Sequence, residues 1–347
     1  FYTASPRSSS RLSCYLTPGI LSGQTTYRVS PTGSSTPPYD TWDNAFSNIQ
    51  AAVDAASDGD RIWVTNGTYN ITNQINVGKA VTLESVNGPA ATLVNRASGS
   101  ARIFGISNAA ALVTGFTITN GLPGGNLEGS GILMTAGTVS NCLITGGAAN
   151  RGSAVWMSGA SSLLTHSVIR NNQETGNSGG CGGVRLLSSA TLRYSLLTQN
   201  KSGSESDGVS AIFMSGNTTV ENCIISNNFQ NSTFVSTVAV RMQAGDVLRN
   251  CLIVNNANRG LFMWGGTASH LTLTGNRYYG GTGHGLAITG GLIQNSIIYA
   301  NGENNYPSLA NDVLATGGGI TNCCAGVLLT GAGNIQAPPM FRNPSQD

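Results

Sequence analysis

Glu205 and Asp207, in the stretch KSGSESDG, stand two positions apart, where an extended strand would aim both carboxylates to one side. With Lys201 close by, such a pair could hold a cation or a sugar. Calcium asks for more, about six to eight oxygen ligands and usually several carboxylates. The other acids of the repetitive region (Glu128, Glu174, Glu221, Asp246, Glu303 and Asp312) are thinly spread. A solvated Ser/Gly-rich turn describes the same stretch equally well. His284-Gly285, in GTGHGLAI, offers a general base, but again in a glycine-rich turn. No Asp-Asp dipeptide supplies a paired acid and base. The seven cysteines include no Cys-x-x-Cys and no Cys/His set at zinc-like spacing. The sequence therefore calls for no metal and no cofactor. Glu205, Asp207 and His284 are its weaker catalytic alternative.

What could position such residues is a repeat. VENCIISNN at 220–228 returns as LRNCLIVNN at 248–256. The opening pair recurs as Asn141-Cys142, His166-Ser167, Tyr194-Ser195, Asn222-Cys223, Asn250-Cys251, His270-Leu271, Asn295-Ser296 and Asn322-Cys323, at separations of 25, 28, 28, 28, 20, 25 and 27 residues. Five positions on stand Gly147, Asn172, Asn200, Asn228, Asn256, Asn276 and Asn301. Such periods mark a solenoid, and short β-branched runs punctuated by Gly and Asn mark its elements as strands. Three strands and three bends per coil predict a right-handed parallel β-helix of about eleven coils, rising about 4.8 Å per coil. Like residues then stack on like. The asparagines form an amide ladder, and Cys142, Cys223 and Cys251 are small inward residues beside a bend, buried and inert. Stacked metal ligands are the sharper reading of the same columns.

At the N-terminal side, Phe46, Ile49, Val53 and Ala56 make one apolar stripe, predicting a capping helix over 43–57 with Asp43 as N-cap. Asp58 and Asp60 belong to the turn that ends it. Residues 1–39 read as an extended Ser/Thr/Pro-rich arm, 40–325 as the coils, and 326–347 as an irregular tail that either seals the end or leaves it for a partner. Only 9% of residues are charged, against about 25% in ordinary globular proteins. A net charge of +2 offers no field for nucleic acid. No apolar run reaches the roughly 18–20 residues of a membrane span. The start at Phe1, without Met or a signal-peptide pattern, reads as a processed product or a fragment.

The run IQAAVDAASDGDRIWVTNGTYNIT, then GFTITNG and the NCxI…NN coils, resembles the pectate-lyase-like β-helix superfamily, most nearly its secreted, surface-associated repeat proteins from environmental bacteria. The resemblance spans roughly residues 40–325 and implies the fold. Its lyases imply calcium held by several carboxylates with an Arg or Lys base, and no such cluster is evident. Its polygalacturonase-type branch implies Asn-x-Asp, Asp-Asp, His-Gly and Arg-x-Lys motifs, of which His284-Gly285 alone looks matched.

The position after each small inward residue should face outward. It reads Leu143, Val168, Leu196, Ile224, Leu252 and Ile297 in six of eight coils. Either these form an exposed apolar stripe, or the bend shifts the phase and turns them inward. A stripe needs cover, from a second copy or from the arm with Leu12, Tyr15, Leu16, Ile20 and Leu21 as anchors. The expectation is an extracellular or cell-surface structural protein, adhesive or self-assembling, with itself as partner. The alternative is a polysaccharide-active enzyme or carbohydrate-binding module that stacks sugars on Trp156, Trp264, Tyr278 and Tyr279.

Overall fold

The computed structural model describes residues 23–125, 127–152, 154–176, 180–203, 208–230, 237–278, 282–302 and 311–340. Among them the chain winds through three parallel sheets, visited in the order A, B, C. Sheet A has twelve strands, from Thr26–Val29 to Gly319–Thr321. Sheet B has twelve, from Gly67–Ile71 to Ile335–Gln336, and sheet C ten, from Ile75–Val77 to Val313–Ala315. Ten coils thus reach all three sheets, slightly fewer than the repeat spacing suggests. A fourth sheet of four two-residue strands follows the bend after sheet B.

Each bend is built from two residues with separate jobs. At the turn from A to B, Asn141, His166, Tyr194, Asn222, Asn250, His270, Asn295 and Asn322 all take positive φ between 47° and 54°. Asparagine enters that left-handed region at least cost among residues with a Cβ. The next residue points inward, and its side chain takes the backbone N–H one coil earlier. Cys142 N–H donates to Ser167 Oγ (3.2 Å), Ser167 N–H to Ser195 Oγ (3.2 Å) and Cys223 N–H to Cys251 Sγ (3.4 Å). Each hydroxyl or thiol then donates to the carbonyl two residues before it, as Cys142, Ser167 and Cys223 do. Small size is thus half of the requirement; a group that both accepts and donates is the other half.

At the turn from B the jobs divide again. Asn171, Asn227 and Asn255 are left-handed, and the following residue carries the ladder. Asn172 donates its backbone N–H and its Nδ2 to Asn200 Oδ1 (3.3 and 3.0 Å). Asn200 does the same to Asn228 (3.0 and 3.0 Å), Asn228 to Asn256 (2.9 and 3.0 Å), Asn256 to Asn276 (3.2 and 2.8 Å) and Asn276 to Asn301 (3.1 and 2.9 Å). The second Nδ2 proton satisfies a carbonyl one coil back, such as Leu197 O for Asn228 (3.0 Å). These amides are essentially inaccessible to solvent. Gly147 opens the series with only an N–H to Asn172 Oδ1, because a Cβ there would lie 2.1 Å from Ser130 Oγ.

Coil length varies at one corner. From sheet C to the next ladder residue the count barely moves: Val155 to Asn172 is 17, Val184 to Asn200 is 16, Leu261 to Asn276 is 15. From ladder residue back to sheet C it runs from 5 (Asn256 to Leu261) to 12 (Asn172 to Val184).

The N-terminal end differs from expectation in two ways. Thr26–Val29 (β1), assigned by composition to the arm, pairs in register with Arg61–Val64 (β2) as the first rung of sheet A. Arg28 sits over Trp42 and Trp63, and Trp63 Nε1 donates to Glu84, tying the segment down. The helix is Ile49–Ala55 (α1), capped by Asn48 and not Asp43. Phe46 exchanges backbone bonds with Arg28 and Ser30, which holds residues 43–47 out of the helix. Ile49, Ala52, Val53 and Phe46 still close the core, and Lys79 Nζ caps the helix carbonyls of Val53, Asp54 and Ala56. Asp60 accepts from Thr25 and Ser57, as its turn requires. In the tail, Ile335–Gln336 adds a last short strand to sheet B, and Asn334 Oδ1 accepts Cys323 N–H (2.9 Å), ending the inward column.

At its far end the ladder stops on a carboxylate. Asn301 N–H donates to Asp312 Oδ1 (2.7 Å), while the buried Oδ2 has no partner among the described residues. Burial pushes this carboxyl up to about 6. A raised folded-state value favours the protonated form, so ionisation costs stability as pH rises from about 4 through 6. Asp312→Asn supplies the missing donor. It should raise the unfolding free energy from urea titration above pH 6 by up to about 3 kcal/mol, with the gain vanishing below about pH 4. Asn228→Ala, which strands donors and acceptors on both neighbouring coils, should cost about 3–5 kcal/mol in the same unfolding measurement.

Candidate functional site

Along sheet C the register stacks one outward residue per coil: Leu133, Trp156, Arg185, Phe213, Arg241 and Phe262. Strand alternation sends Val155, Met157, Ile212 and Met214 inward from the same strands. The result is a column in which arginine and aromatic side chains alternate. The Arg185 guanidinium lies 4.0 Å from the Phe213 ring and 5.1 Å from Trp156, within cation–π range. Arg241 lies 5.1 Å from Trp264, which meets Phe262 edge-on at 5.5 Å.

The column is covered in the middle and open at both ends. Phe213 and Arg241 are buried, and Phe213 joins Cys181, Val209 and Val238 in a small apolar cluster outside the coil. Trp156 is half-buried, and Trp264 is 45% exposed. Four rungs separate the ends, about 19 Å.

Around Trp156 the loops from the preceding coils come close. The Glu128 and Arg151 backbones form an isolated parallel β-bridge, and Gly129 N–H donates to the Arg151 and Gly152 carbonyls. Gly129 and Gly152 have positive φ, and a Cβ on either would meet Trp156 at 3.2 or 3.3 Å. Arg102 reaches in, its Nε donating to Glu128 O (2.5 Å) and its Nη1 to Gln74 Oε1 (3.4 Å). Arg151 is exposed. Burial pulls the Arg102 and Arg185 guanidinium groups below their ordinary value, with the Glu128 carboxylate opposing it and Arg151 repelling Arg185. Three guanidinium groups, one carboxylate and an indole thus share this end. Such a set can hold carboxylate oxygens by charge-assisted hydrogen bonds and receive the flat side of a sugar ring.

His284 is not at an open groove. It is 1% exposed, its Nδ1 accepts Tyr278 N–H (3.1 Å), and Tyr278 is buried against Arg259 at 4.2 Å. Arg259 Nε and Nη2 are taken by the Gly283 and Thr282 carbonyls. Gly285 is required because a Cβ would lie 2.5 Å from Asn301 Nδ2. The His-Gly piece therefore serves the ladder and the packing beneath Tyr278, which is no open sugar platform. Glu174 is likewise buried, accepting from Ser202 Oγ and Gly203 N–H. Glu205, Asp207, Tyr279, Cys14 and the arm anchors Leu12, Tyr15, Leu16, Ile20 and Leu21 lie outside the described residues. Among the described residues no group of three His, Cys, Asp or Glu could hold a metal.

Of the two readings of the sheet B column, the outward one is observed. Leu143, Val168, Leu196, Ile224, Leu252 and Ile297 face away from Ile144, Ile169, Leu197, Ile225, Ile253 and Ile298, which are buried. Ile224 is 44% and Leu252 42% exposed. Arg185, Phe213, Arg241 and Phe262 had not been singled out from sequence. Their spacings from Trp156 onward, 29, 28, 28 and 21, follow the repeat and would have aligned them.

The stacked rungs and amide ladder define a parallel β-helix. The family described as right handed beta helix region matches residues 102–278, just over half of the chain, and the chain belongs to it. The fold is thus the right-handed parallel β-helix that the repeat predicts. No curated protein matches the sequence. Among solved structures, pectate lyase Pel9A is 14% identical, covering 87% of this chain and 70% of its own, at a TM-score of 0.38. The pectin methylesterase from Aspergillus niger is 12% identical, covering 90% and 92%, at 0.44. The Azotobacter vinelandii mannuronan C-5 epimerase AlgE4 A-module is 13% identical, covering 80% and 82%, at 0.45.

Proposed function

We propose that the protein is an extracellular adhesive β-helix that holds an acidic polysaccharide against the outer face of sheet C. The observation that carries this reading is the open Trp156 with the Arg185 guanidinium 5.1 Å from its ring, the exposed Arg151 in the adjoining loop, and Arg102 bonded to the Glu128 carbonyl of the strand bridge beside it. Guanidinium groups bind uronate carboxylates, and Trp156 and Trp264, at the two open ends of one column, give a long chain two places to stack. Extended ligands suit a flat, ordered face of this kind. An extracellular or cell-surface location accords with the secreted proteins that the sequence resembles. Affinity electrophoresis in gels containing polygalacturonate, alginate or neutral dextran tests the reading. The acidic polymers should retard the protein and dextran should not, with retardation falling as salt rises. Arg151→Ala and Trp156→Ala should each weaken binding about tenfold. Equal retardation in dextran, or unchanged variants, would refute it, and release of unsaturated or reducing ends would move the protein to the enzymes.

A second reading, self-association of two copies through sheet B, is favoured by the exposed Ile224 and Leu252 in a column of aliphatics on a weakly charged surface. Sedimentation velocity over a concentration series should then show association that Ile224→Lys with Leu252→Lys abolishes. A concentration-independent monomer would end this reading without touching the first.

A further inference from the structure

In the inward column beside the A-to-B bend, serine fills the role at Ser167, Ser195 and Ser296, yet Cys223 and Cys251 follow one another on adjacent rungs. Ile224 and Leu252, the residues immediately after them, are register partners. Adjacent rungs lie about 4.8 Å apart, inside the roughly 4.4–6.8 Å Cα separation that a disulfide spans. Both thiols point the same way: each Sγ donates to the carbonyl two residues back (3.2 Å to Glu221 O and 3.2 Å to Arg249 O), and Cys223 N–H meets Cys251 Sγ at 3.4 Å. The other described cysteines have no such neighbour. Cys142 stacks below Ser167, Cys323 lies between Ser296 and Asn334, Cys324 pairs with Ile297 and Ile335, and Cys181 bridges to Val209.

We infer that Cys223 and Cys251 form a rung-to-rung disulfide when the chain folds in an oxidising medium, stapling one coil to the next. The oxidant is a small-molecule disulfide such as oxidised glutathione. One cysteine thiolate attacks it, giving a mixed disulfide and expelling one glutathione thiolate. The second cysteine thiolate then attacks the protein sulfur, closing the new S–S bond and expelling the other glutathione. The two cysteine protons pass to the two leaving thiolates, and two electrons pass to the oxidant. The reaction belongs to folding, before the coil closes, because both side chains are only 1–2% exposed afterwards. In the reduced fold the hydrogen bond to Cys251 and burial push the Cys223 thiol up, which keeps that thiol protonated.

The test refolds the full chain from denaturant in glutathione redox buffer and, in parallel, under reducing conditions. After unfolding and alkylation, the oxidised product should lack two alkylated thiols, weigh less by two hydrogens, and yield one cross-linked peptide joining Cys223 to Cys251. Its denaturation midpoint should exceed that of the reduced product, and dithiothreitol in denaturant should remove the difference. Cys223→Ser and Cys251→Ser, each with the residue that neighbouring rungs use, should fold with unchanged circular dichroism and form no cross-link. Full alkylation of both cysteines in the oxidised product, or cross-links from either to another cysteine, would overturn the inference.

Discussion

A primary amide carries two donors and an acceptor with two lone pairs, and the molecule depends on that inventory. At the bend leaving sheet B the backbone turns so sharply that its N–H and the carbonyl one coil back lose their ordinary partners. Asn200 and Asn228 supply both, and each also accepts the equivalent pair of bonds from the coil before. The requirement is thus self-propagating: once one coil bends this way, the next must present an amide at the same place. Buried polar groups are tolerated only when fully connected, and the column meets that condition from Gly147 to Asn301. Asp312, with an oxygen where an amide would donate, is where it breaks.

Regular stacking has a functional corollary on the outside. Because inward positions are committed to Ile, Leu, Val and Met, whatever stands outward is also repeated at one rung spacing. Sheet C carries arginine and aromatic residues in this way, and sheet B carries aliphatics. A solenoid therefore offers linear arrays where a globular fold offers pockets, and linear ligands or flat partners suit them. Of the described acids, Glu84 and Glu221 are paired with Arg61 and Arg249 on sheet A, and Glu174 and Asp246 are each bonded to backbone N–H groups.

Much of this was legible in the residues. The recurrence of Asn-Cys and Asn-Asn announced the coil, the stacking and the buried thiols, because a ladder residue must recur wherever its bend recurs. The helix boundary was less legible: an apolar stripe at positions 46, 49, 53 and 56 looks helical throughout, yet Phe46 keeps its burial while bonding to a strand. That choice depends on β1, a tertiary partner no local pattern shows. The Arg–aromatic column went unseen for a different reason. It is a property of the register between coils, visible only when residues 28 or so apart are set side by side. His284 misled in the opposite sense, since a neighbour Gly285 that exists to clear Asn301 looks like a motif.

The uneven corner between sheets B and C has a consequence for how such a chain can change. The path from sheet C round to the ladder residue holds its length to within two residues, 15 to 17. The remaining corner leaves and rejoins the stack at set points, and in this one chain it already runs from 5 to 12 residues. Insertions there disturb no rung. The molecule thus separates an invariant spine from a row of interchangeable loops beside the Arg–aromatic face, so that new recognition could be grafted at that corner while the spine stays as it is.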